Sequence, residues 1–250
     1  MNTKIALVTG GRRGLGKNTA LAKKGVDVII TYHSKKTEAN EVVAEIEKYG
    51  QKAIALQLNV ANSQSFADFA AQIITALKQK WNSDPFDFLV NNTGSGVSTS
   101  FMETTDEQFD QMVNIHLKGV FFLTQKLLPL MTDGGHIVNV SSELTRYAIP
   151  SFTAYTTMKG GVETLTKYLA NELGARKITV SVVAPGEIET DFGGGTVRDN
   201  AQMNSFIASQ TALGRVGLPD DIGGVIASLL SEDNRWVNAQ RIEASGGMYI

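Results

Sequence analysis

The chain alternates short, continuous apolar runs with longer stretches of helical periodicity. A continuous apolar run is typical of a strand buried on both faces of a sheet, because a strand with one solvated face alternates apolar and polar residues. Strands that alternate with helices predict an α/β fold, in which right-handed crossovers place helices on both faces of a parallel sheet. The predicted strands are residues 5–8, 26–32, 53–58, 86–90, 136–140 and 178–183, with a weaker one near 241–242, and the predicted helices after the first are residues 37–49, 63–81, 105–131, 152–175 and 219–230.

Composition narrows the class of protein. A chain of 250 residues can bury a large core without disulfides or a structural metal, and this chain has no cysteine. A net charge of −2 gives no basic excess for nucleic-acid binding, and no apolar run approaches the ~18 residues of a membrane span. The first predicted strand leaves no room for a signal peptide before it, so we expect a cytoplasmic protein. No His, Asp and Glu grouping has metal-ligand spacing, and His116 and His136 are expected to pack or to face solvent.

A glycine-rich segment, residues 9–16, follows the first predicted strand and opens the first helix. Glycines let the backbone approach a pyrophosphate closely, and the free N–H groups of a helix N-terminus attract anions. The spacing G-x-x-x-G-x-G differs from the fingerprint G-x-G-x-x-G, so the segment taken alone is also compatible with an ordinary turn. As a dinucleotide site it predicts cofactor contacts from Gly10, Arg12, Arg13, Gly14, Leu15 and Gly16.

The end of the second predicted strand decides between the two nicotinamide dinucleotides. Sheets that bind NAD often carry an acid there for the ribose 2′-hydroxyl, but residues 31–36 contain none. Cations and hydroxyl groups near the ribose favour a 2′-phosphate instead. We therefore expect NADPH, held by Arg12, Arg13, His33 and Ser34, with NADH as the alternative.

Tyr155 and Lys159 are four residues apart in a predicted helix, so they share one face at roughly 6 Å. A lysine ammonium this close to a phenol favours the phenolate and lowers the tyrosine pKa from its usual ~10, which suits acid–base chemistry near neutral pH. Upstream, Ser142 follows a predicted strand and faces the crevice where ligands bind in such sheets.

Together and in this order, the motifs resemble the short-chain dehydrogenase/reductase family over the entire chain. The matching segments are Thr9-Gly10-x-x-x-Gly14-x-Gly16, Asn91-Asn92-Thr93-Gly94, Val113-Asn114-Ile115, Ser142 with Tyr155 and Lys159, and Pro185-Gly186-x-Ile188-x-Thr190. The resemblance implies one Rossmann-type domain over residues 1–250 with a doubly wound, seven-stranded parallel sheet. It also implies hydride transfer between a nicotinamide and a carbonyl or alcohol.

The resemblance further implies a role for each site residue. Tyr155 donates the proton in reduction, Lys159 lowers its pKa and holds the nicotinamide ribose, and Ser142 hydrogen-bonds the carbonyl oxygen. Asn114 holds a water that links Lys159 to solvent. Cofactor contacts are implied for Asn59 and Val60 at the adenine, for Asn91 at the adenosine ribose, for Ile188 and Thr190 at the carboxamide, and for Gly94, Pro185 and Gly186 in the same motifs.

The chain departs from the family pattern in a few places. Thr93, Asn59 and Met158 replace the usual Ala, Asp and Ser. Residues 16–25 are about two residues shorter than the family's first helix. Two residues rotate a helix by ~200°, so either the helix is locally shortened or the chain carries a deletion, and cofactor affinity would suffer first.

The favoured function is an NADPH-dependent ketone reductase acting on small or aromatic ketones or a hydroxy-ester class. A 3-oxoacyl-carrier-protein reductase is the alternative, but an acidic carrier needs a basic patch beside the active site. Arg176 and Lys177 offer some charge there, which Asp133 offsets. A non-catalytic NADP-binding sensor or scaffold is a further alternative.

Two larger features complete the expectations. Residues 187–213 form an irregular stretch with three consecutive glycines, which predicts a substrate lid rather than a plain linker. Helices 105–131 and 152–175 carry more apolar positions than one buried face needs, and the resemblance implies that they pair across two-fold axes in a homotetramer.

Overall fold

Seven parallel strands form one sheet in the order β3-β2-β1-β4-β5-β6-β7. The structure is a computed structural model that describes residues 3–22 and 25–250, apart from the side chains of residues 21 and 22. The predicted doubly wound parallel sheet is confirmed. The strands are β1 Lys4–Val8, β2 Val26–Tyr32, β3 Ala53–Gln57, β4 Phe86–Asn91, β5 Met131–Val140, β6 Thr179–Pro185 and β7 Arg241–Ala244.

Helices cover both faces of the sheet, because the side chains of each central strand alternate between two cores. In β1, Ile5 and Leu7 pack into one core, whereas Ala6 and Val8 pack into the other. Helices α3, α5 and α6 supply the first core, and α1, α2 and α9 supply the second. The helices are α1 Gly14–Ala22, α2 Lys36–Lys48, α3 Phe66–Ala76, α4 Asp106–Met112, α5 Gly119–Leu127, α6 Thr153–Glu172, α7 Thr196–Asp199, α8 Ala201–Ser209 and α9 Pro219–Leu229. Among the described residues, no helix has both the length and the apolar character that crossing a bilayer requires.

Four elements differ from the sequence-based expectation. The predicted helix 63–81 begins with a 3₁₀ turn, Ser63–Ser65, and ends in a π-helical turn, Leu77–Trp81. The predicted helix 105–131 is interrupted by a π-helical turn, Val113–Lys118, and ends in a 3₁₀ turn at Leu128–Leu130. Strand β5 begins five residues early, because Phe86 pairs with Met131 while Phe88 pairs with His136, which leaves a bulge around Gly134. The stretch 187–213 is not irregular throughout, since it contains α7 and α8.

The predicted shortening of the first helix lies partly outside the described residues. Helix α1 is described as nine residues that end at Ala22, and residues 23 and 24 are not described.

Candidate active site

The crevice opens where the strand order reverses, between β1 and β4. The backbone N–H of Thr9, which follows β1, donates to the Val90 carbonyl at 3.0 Å. The Thr9 hydroxyl accepts from the backbone N–H groups of Asn92 at 2.9 Å and Thr93 at 3.1 Å, and the Asn92 amide donates back to the Thr9 carbonyl at 2.9 Å. These bonds join two strand ends at the position where open α/β sheets bind their ligands.

The glycine loop after β1 has a shape that requires glycine. Gly10 and Gly14 adopt left-handed backbone, with φ of +68° and +53°. A Cβ at Gly16 would lie 2.4 Å from the Gly10 carbonyl oxygen, so α1 approaches the loop this closely only without a side chain there. Because the first N–H groups of a helix have no partner within it, this cradle fits a dinucleotide pyrophosphate. Leu15 is half-buried against the core and helps to fix the start of α1.

Both arginines of the loop are engaged with acids. Arg12 pairs with the Glu38 carboxylate in the first turn of α2, and Arg13 Nη1 lies 3.2 Å from Asp191 Oδ2. His33 and Ser34 are exposed at the end of β2. The sequence shows no acid in this strand end, yet the fold supplies one from α2. Any anion that binds these arginines therefore competes with two carboxylates.

The residues predicted to contact the adenosine lie at the ends of β3 and β4. Asn59 is exposed, and its Oδ1 accepts a backbone N–H two residues further on at 3.1 Å, whereas Val60 is buried. Asn91 is buried, and its amide donates to Thr124 Oγ1 at 3.0 Å and to Asn139 Oδ1 at 2.8 Å. The Asn91 side chain thus holds β4 within the core, which leaves its backbone for the predicted ribose contact.

Ser142 and Tyr155 meet beyond the carboxyl end of β5. The Ser142 hydroxyl accepts the Leu144 N–H at 3.3 Å, and it is also near enough to the phenol of Tyr155, in the first turn of α6, to lower the pKa of that group. Both side chains are buried. Burial raises the pKa of Tyr155 above its ordinary value, the Ser142 hydroxyl lowers it, and the nearby Glu187 carboxylate raises it. The phenol is therefore held in its acid form.

Lys159 lies one turn along α6, as the i, i+4 spacing predicts. Its Nζ donates to the Val140 carbonyl at 2.8 Å and stands 5.5 Å from the Tyr155 ring centroid. Burial lowers the pKa of Lys159 to about 8. Lys159 is not among the groups that shift the pKa of Tyr155 here, so its predicted lowering of that pKa stays a prediction. The ammonium lies over the ring and is bound to a strand-end carbonyl, so burial dominates the phenol.

Asn114 lies in the π-helical turn that interrupts the predicted helix. Its carbonyl accepts the N–H of Gly119, five residues on, where a Cβ would lie only 2.5 Å from the Val60 carbonyl oxygen. Close approach at Gly119 thus accompanies the turn, and such turns are frequent at functional sites. The turn packs against α6, which carries Tyr155 and Lys159. The role of Asn114 in holding a water stays a prediction.

The segment after β6 returns to the glycine loop. Pro185 ends β6, and Gly186 passes β7 so closely that a Cβ would lie 2.8 Å from Ser245 Cα. Ile188 is buried, and a Cβ at Gly14 would lie 3.6 Å from Thr190 Cγ2. The segment after β6 and the glycine loop after β1, which both carry predicted cofactor contacts, therefore meet on one side of the crevice.

The aromatic ring of Phe192, in the predicted lid, lies beside Tyr155. The Phe192 ring centroid lies 5.9 Å from that of Tyr155, and a Cβ at Gly96 would lie 2.9 Å from Phe192 Cζ. Phe192 is half-exposed, as are Met203 and Phe206 on α8, so all three present apolar surface in the predicted lid.

Glu143, beside Ser142, is a buried carboxyl that the sequence did not single out. It is 1% exposed, and neither oxygen has a hydrogen bond of normal geometry. Burial raises the pKa of Glu143 to about 7, the Tyr147 phenol opposes the shift, and Glu187 adds to it. Two carboxyl groups, Glu143 and Glu187, therefore lie near Ser142 and Tyr155.

The charged residues that were considered as a docking patch for a carrier protein do not lie beside the active site. Arg176 follows α6, and its Nε lies 2.7 Å from Asp133 near the start of β5, at the amino ends of the strands. Placing Arg176, Lys177 and Asp133 beside the active site was wrong, because α6 runs from the carboxyl edge of the sheet to the opposite edge. Among residues 3–22 and 25–250, no group of three acids and histidines could hold a metal ion.

Comparisons with known proteins agree with this geometry. A family model described as enoyl-(acyl carrier protein) reductase matches residues 10–249. An oxidoreductase of Methylorubrum extorquens is 38% identical and covers 98% of this chain and 97% of its own length. A tetrahydroxynaphthalene reductase of Pestalotiopsis fici is 36% identical, with 98% of this chain and 91% of that protein covered.

Solved structures extend the similarity to the whole fold. The reductase LugOII, which catalyses keto-reduction at C1 during lugdunomycin biosynthesis, has a TM-score of 0.94 and 35% identity over 100% of both chains. The angucycline C-6 ketoreductase LanV with bound NADP has a TM-score of 0.93 and 35% identity, covering 99% of this chain and 97% of that one. On the family match and these identities, the chain belongs to the short-chain dehydrogenase/reductase family of oxidoreductases.

Proposed function

We propose that this chain reduces ketones to secondary alcohols with NADPH. The observation that carries the proposal is the buried cluster of Ser142, Tyr155 and Lys159, at the carboxyl edge of a sheet that also holds the glycine loop. All four predicted catalytic residues are present in or beside one crevice, which disfavours a non-catalytic sensor. The carbonyl reductases named above provide the analogy for the reaction class.

The protein's own groups supply the acid and the orientation. The Tyr155 phenol donates its proton to the carbonyl oxygen, and the Ser142 hydroxyl hydrogen-bonds the same oxygen and polarises the C=O bond. Bound NADPH supplies the hydride that the carbonyl carbon receives. Lys159 holds the nicotinamide ribose and, through a water on Asn114, returns a proton to the phenol. Because burial raises the pKa of Tyr155, the phenol is fully protonated at neutral pH, which suits the reductive direction.

The cofactor assignment rests on the loop cations. Arg12 and Arg13 are the cations of the glycine loop, and we assign them to the 2′-phosphate because similar structures are described with NADP or NADPH bound. Glu38 and Asp191 hold these arginines when no phosphate engages them. The adenine and carboxamide contacts from Asn59, Val60, Ile188 and Thr190 remain part of this proposal.

The substrate class we propose is the aromatic ketone. Phe192 presents a ring face beside Tyr155, which favours a planar substrate. LanV is described with bound rabelomycin, and the Pestalotiopsis fici protein is named for tetrahydroxynaphthalene. The acidic residues Glu143 and Glu187, rather than a basic patch, lie near the site, which disfavours an acidic carrier protein.

A substrate panel tests the proposal. With NADPH in excess, kcat/KM for a bicyclic aryl ketone should exceed that for an acetoacetyl thioester by at least ~10-fold, one 1.4 kcal/mol step in transition-state binding. A preference for the thioester would favour the carrier-protein reductase instead. No turnover with either, despite NADPH binding, would favour the sensor.

We also propose the assembly and the location. Phe121 and Phe122 on α5 and Tyr168 on α6 are exposed, and Trp236 is 95% exposed beyond α9. Two separate apolar surfaces suit a tetramer built on two-fold axes, in which the helices pair as the family resemblance implies. A cytoplasmic location accords with a cysteine-free chain and an NADPH-dependent reaction.

A further inference from the structure

His116 lies against the ring of Tyr155, although no sequence pattern connects the two residues. It belongs to the π-helical turn, two residues after Asn114, and is 1% exposed. The His116 and Tyr155 ring centroids are 5.2 Å apart at an interplanar angle of 86°. This edge-to-face arrangement is a favoured geometry for aromatic pairs, and it fixes the tilt of both rings.

A loop of the crevice fixes the imidazole from its other side. His116 Nε2 lies 2.7 Å from the Ser95 carbonyl oxygen and 3.4 Å from the Ser95 backbone N. The shorter contact favours the tautomer in which Nε2 carries the proton and donates to the carbonyl, since a carbonyl only accepts. A Cβ at Gly94 would lie 3.0 Å from His116 Cε1, so the ring is also seated directly on the loop backbone. Burial, together with the charge of Lys159, lowers the pKa of His116 to about 3, so the imidazole is neutral at working pH and transfers no proton.

The same loop also contacts Phe192, a second aromatic side chain beside Tyr155. Phe192 lies 5.9 Å from the Tyr155 ring and packs over Gly96, one residue beyond Ser95. The Ser142 hydroxyl, the Lys159 ammonium and the Glu187 carboxylate also lie near Tyr155, and its ring packs in an apolar cluster with Met112, Leu144 and Met158. Among the described residues, only His116 and Phe192 make aromatic ring contacts with it.

We propose that His116 is a positioning residue that sets the orientation of the Tyr155 ring and links it to loop 94–96. This inference rests on the proposed function, because the orientation matters for turnover only if Tyr155 is the proton donor. Loss of the imidazole ring frees the phenol to tilt and opens the space beside it to water. A misplacement of about 1 Å can cost up to ~10² in rate.

The test compares two variants that both lose the bond to Ser95 and differ only in the ring. His116→Phe keeps an aromatic face beside Tyr155, whereas His116→Leu does not. We expect His116→Leu to lower kcat by at least ~10-fold and His116→Phe to retain it within ~3-fold. His136→Leu is the matched control, since His136 is a buried histidine that contacts Phe88 and Thr179 on the sheet. Its kcat should stay within ~2-fold of the wild type.

A second readout does not depend on turnover. Ultraviolet absorbance of the phenolate, with the Tyr155→Phe variant as background for the other five of the six tyrosines, follows the ionisation of Tyr155. Burial raises this pKa, so hydration of the site in His116→Leu should lower it, while His116→Phe should keep it. If His116→Leu fails to fold, His116→Gln, which also lacks the ring, takes its place.

The outcomes separate the two proposals. Equal kcat and equal Tyr155 titration in the Leu and Phe variants would show that His116 only packs, and would overturn the inference. An inactive wild type would refute the ketoreductase function, and the titration would then decide alone whether His116 restrains Tyr155.

Discussion

Single residues decide which cofactor the crevice accepts. Arg12 is held by Glu38, which the sequence did not connect to the loop because α2 and the glycine loop meet only in the fold. Glu38→Gln should therefore free Arg12 for a 2′-phosphate and raise the NADPH-over-NADH ratio of kcat/KM by about 3–10-fold. Glu41→Gln, an exposed glutamate on the same helix, is the charge-matched control. An unchanged or lowered ratio in Glu38→Gln alone would refute this reading.

Substitutions that remove positive charge from the predicted 2′-phosphate site, or add negative charge to it, should weaken the preference for NADPH over NADH. Arg13→Ala removes a cation, and His33→Asp places an acid at the exposed end of β2, so each should narrow or reverse the NADPH preference. The measurement is again the ratio of kcat/KM for the two cofactors. A wild type that prefers NADH by tenfold would contradict the assignment.

Lys159 should affect both cofactor affinity and rate. Lys159→Ala removes the proposed ribose contact, so NADPH should bind more weakly and kcat should fall, each by at least ~10-fold. Burial lowers the pKa of Lys159 to about 8, so the ammonium is present below that pH and lost above it. Wild-type affinity for NADPH, followed by cofactor fluorescence, should decline as pH rises through 8. The alanine variant should show no such decline.

The raised pKa of Glu143 predicts that the contribution of this group to the free energy of unfolding falls as pH rises. Its pKa is raised from the ordinary 4.5 to about 7, so the folded chain binds the proton more tightly than the unfolded chain does. Stability from this group is complete below about pH 4.5 and is lost as pH rises to about 7. Glu143→Gln should thus gain a few °C in Tm relative to the wild type between pH 5 and pH 8. A pH-independent difference in Tm would contradict the assignment.

At the scale of elements, periodicity predicted the strands well and the interruptions poorly. The buried strands β1, β2, β4 and β6 are continuous apolar runs, so both their positions and their parallel pairing were predictable. The π-helical turn was not, because periodicity does not report the close approach of Gly119 to Val60, which are distant in sequence. The partners Asp191 of Arg13 and His116 of Tyr155 were missed for the same reason. The i, i+4 pair of α6 is local, and its placement was predicted.

The segment 187–213 is the element most open to a dynamic test. Gly193, Gly194 and Gly195 all have left-handed backbone, and the Asp191–Arg13 ion pair ties the root of the segment to the glycine loop. A cofactor phosphate bound to Arg13 would break that ion pair, while the carboxamide of the same cofactor would form the predicted contact with Thr190. We expect fast hydrogen exchange across residues 192–210 without cofactor and clear protection with NADPH. Equal, strong protection in both states would leave the segment as a fixed wall.

At the scale of the whole molecule, the exposed aromatics of α5 and α6 predict association. Phe121 and Phe122 contact each other and remain partly exposed, and a lone monomer would leave this surface in water. Light scattering at micromolar concentration should give a tetramer, and Phe121→Glu should shift it to a smaller species. Phe101→Glu, at an exposed site outside both helices, serves as the control. A monomeric wild type would contradict the assembly.

The central claim is that Tyr155 is the acid of a ketone reduction built on this fold. The most direct measurement is turnover of NADPH with an aryl ketone by Tyr155→Phe at neutral pH, with NADPH affinity measured in parallel. The account predicts a fall in kcat of at least ~10² with unchanged cofactor affinity, because only the proton donor is removed and the ring remains. Near-wild-type turnover in this variant would contradict it.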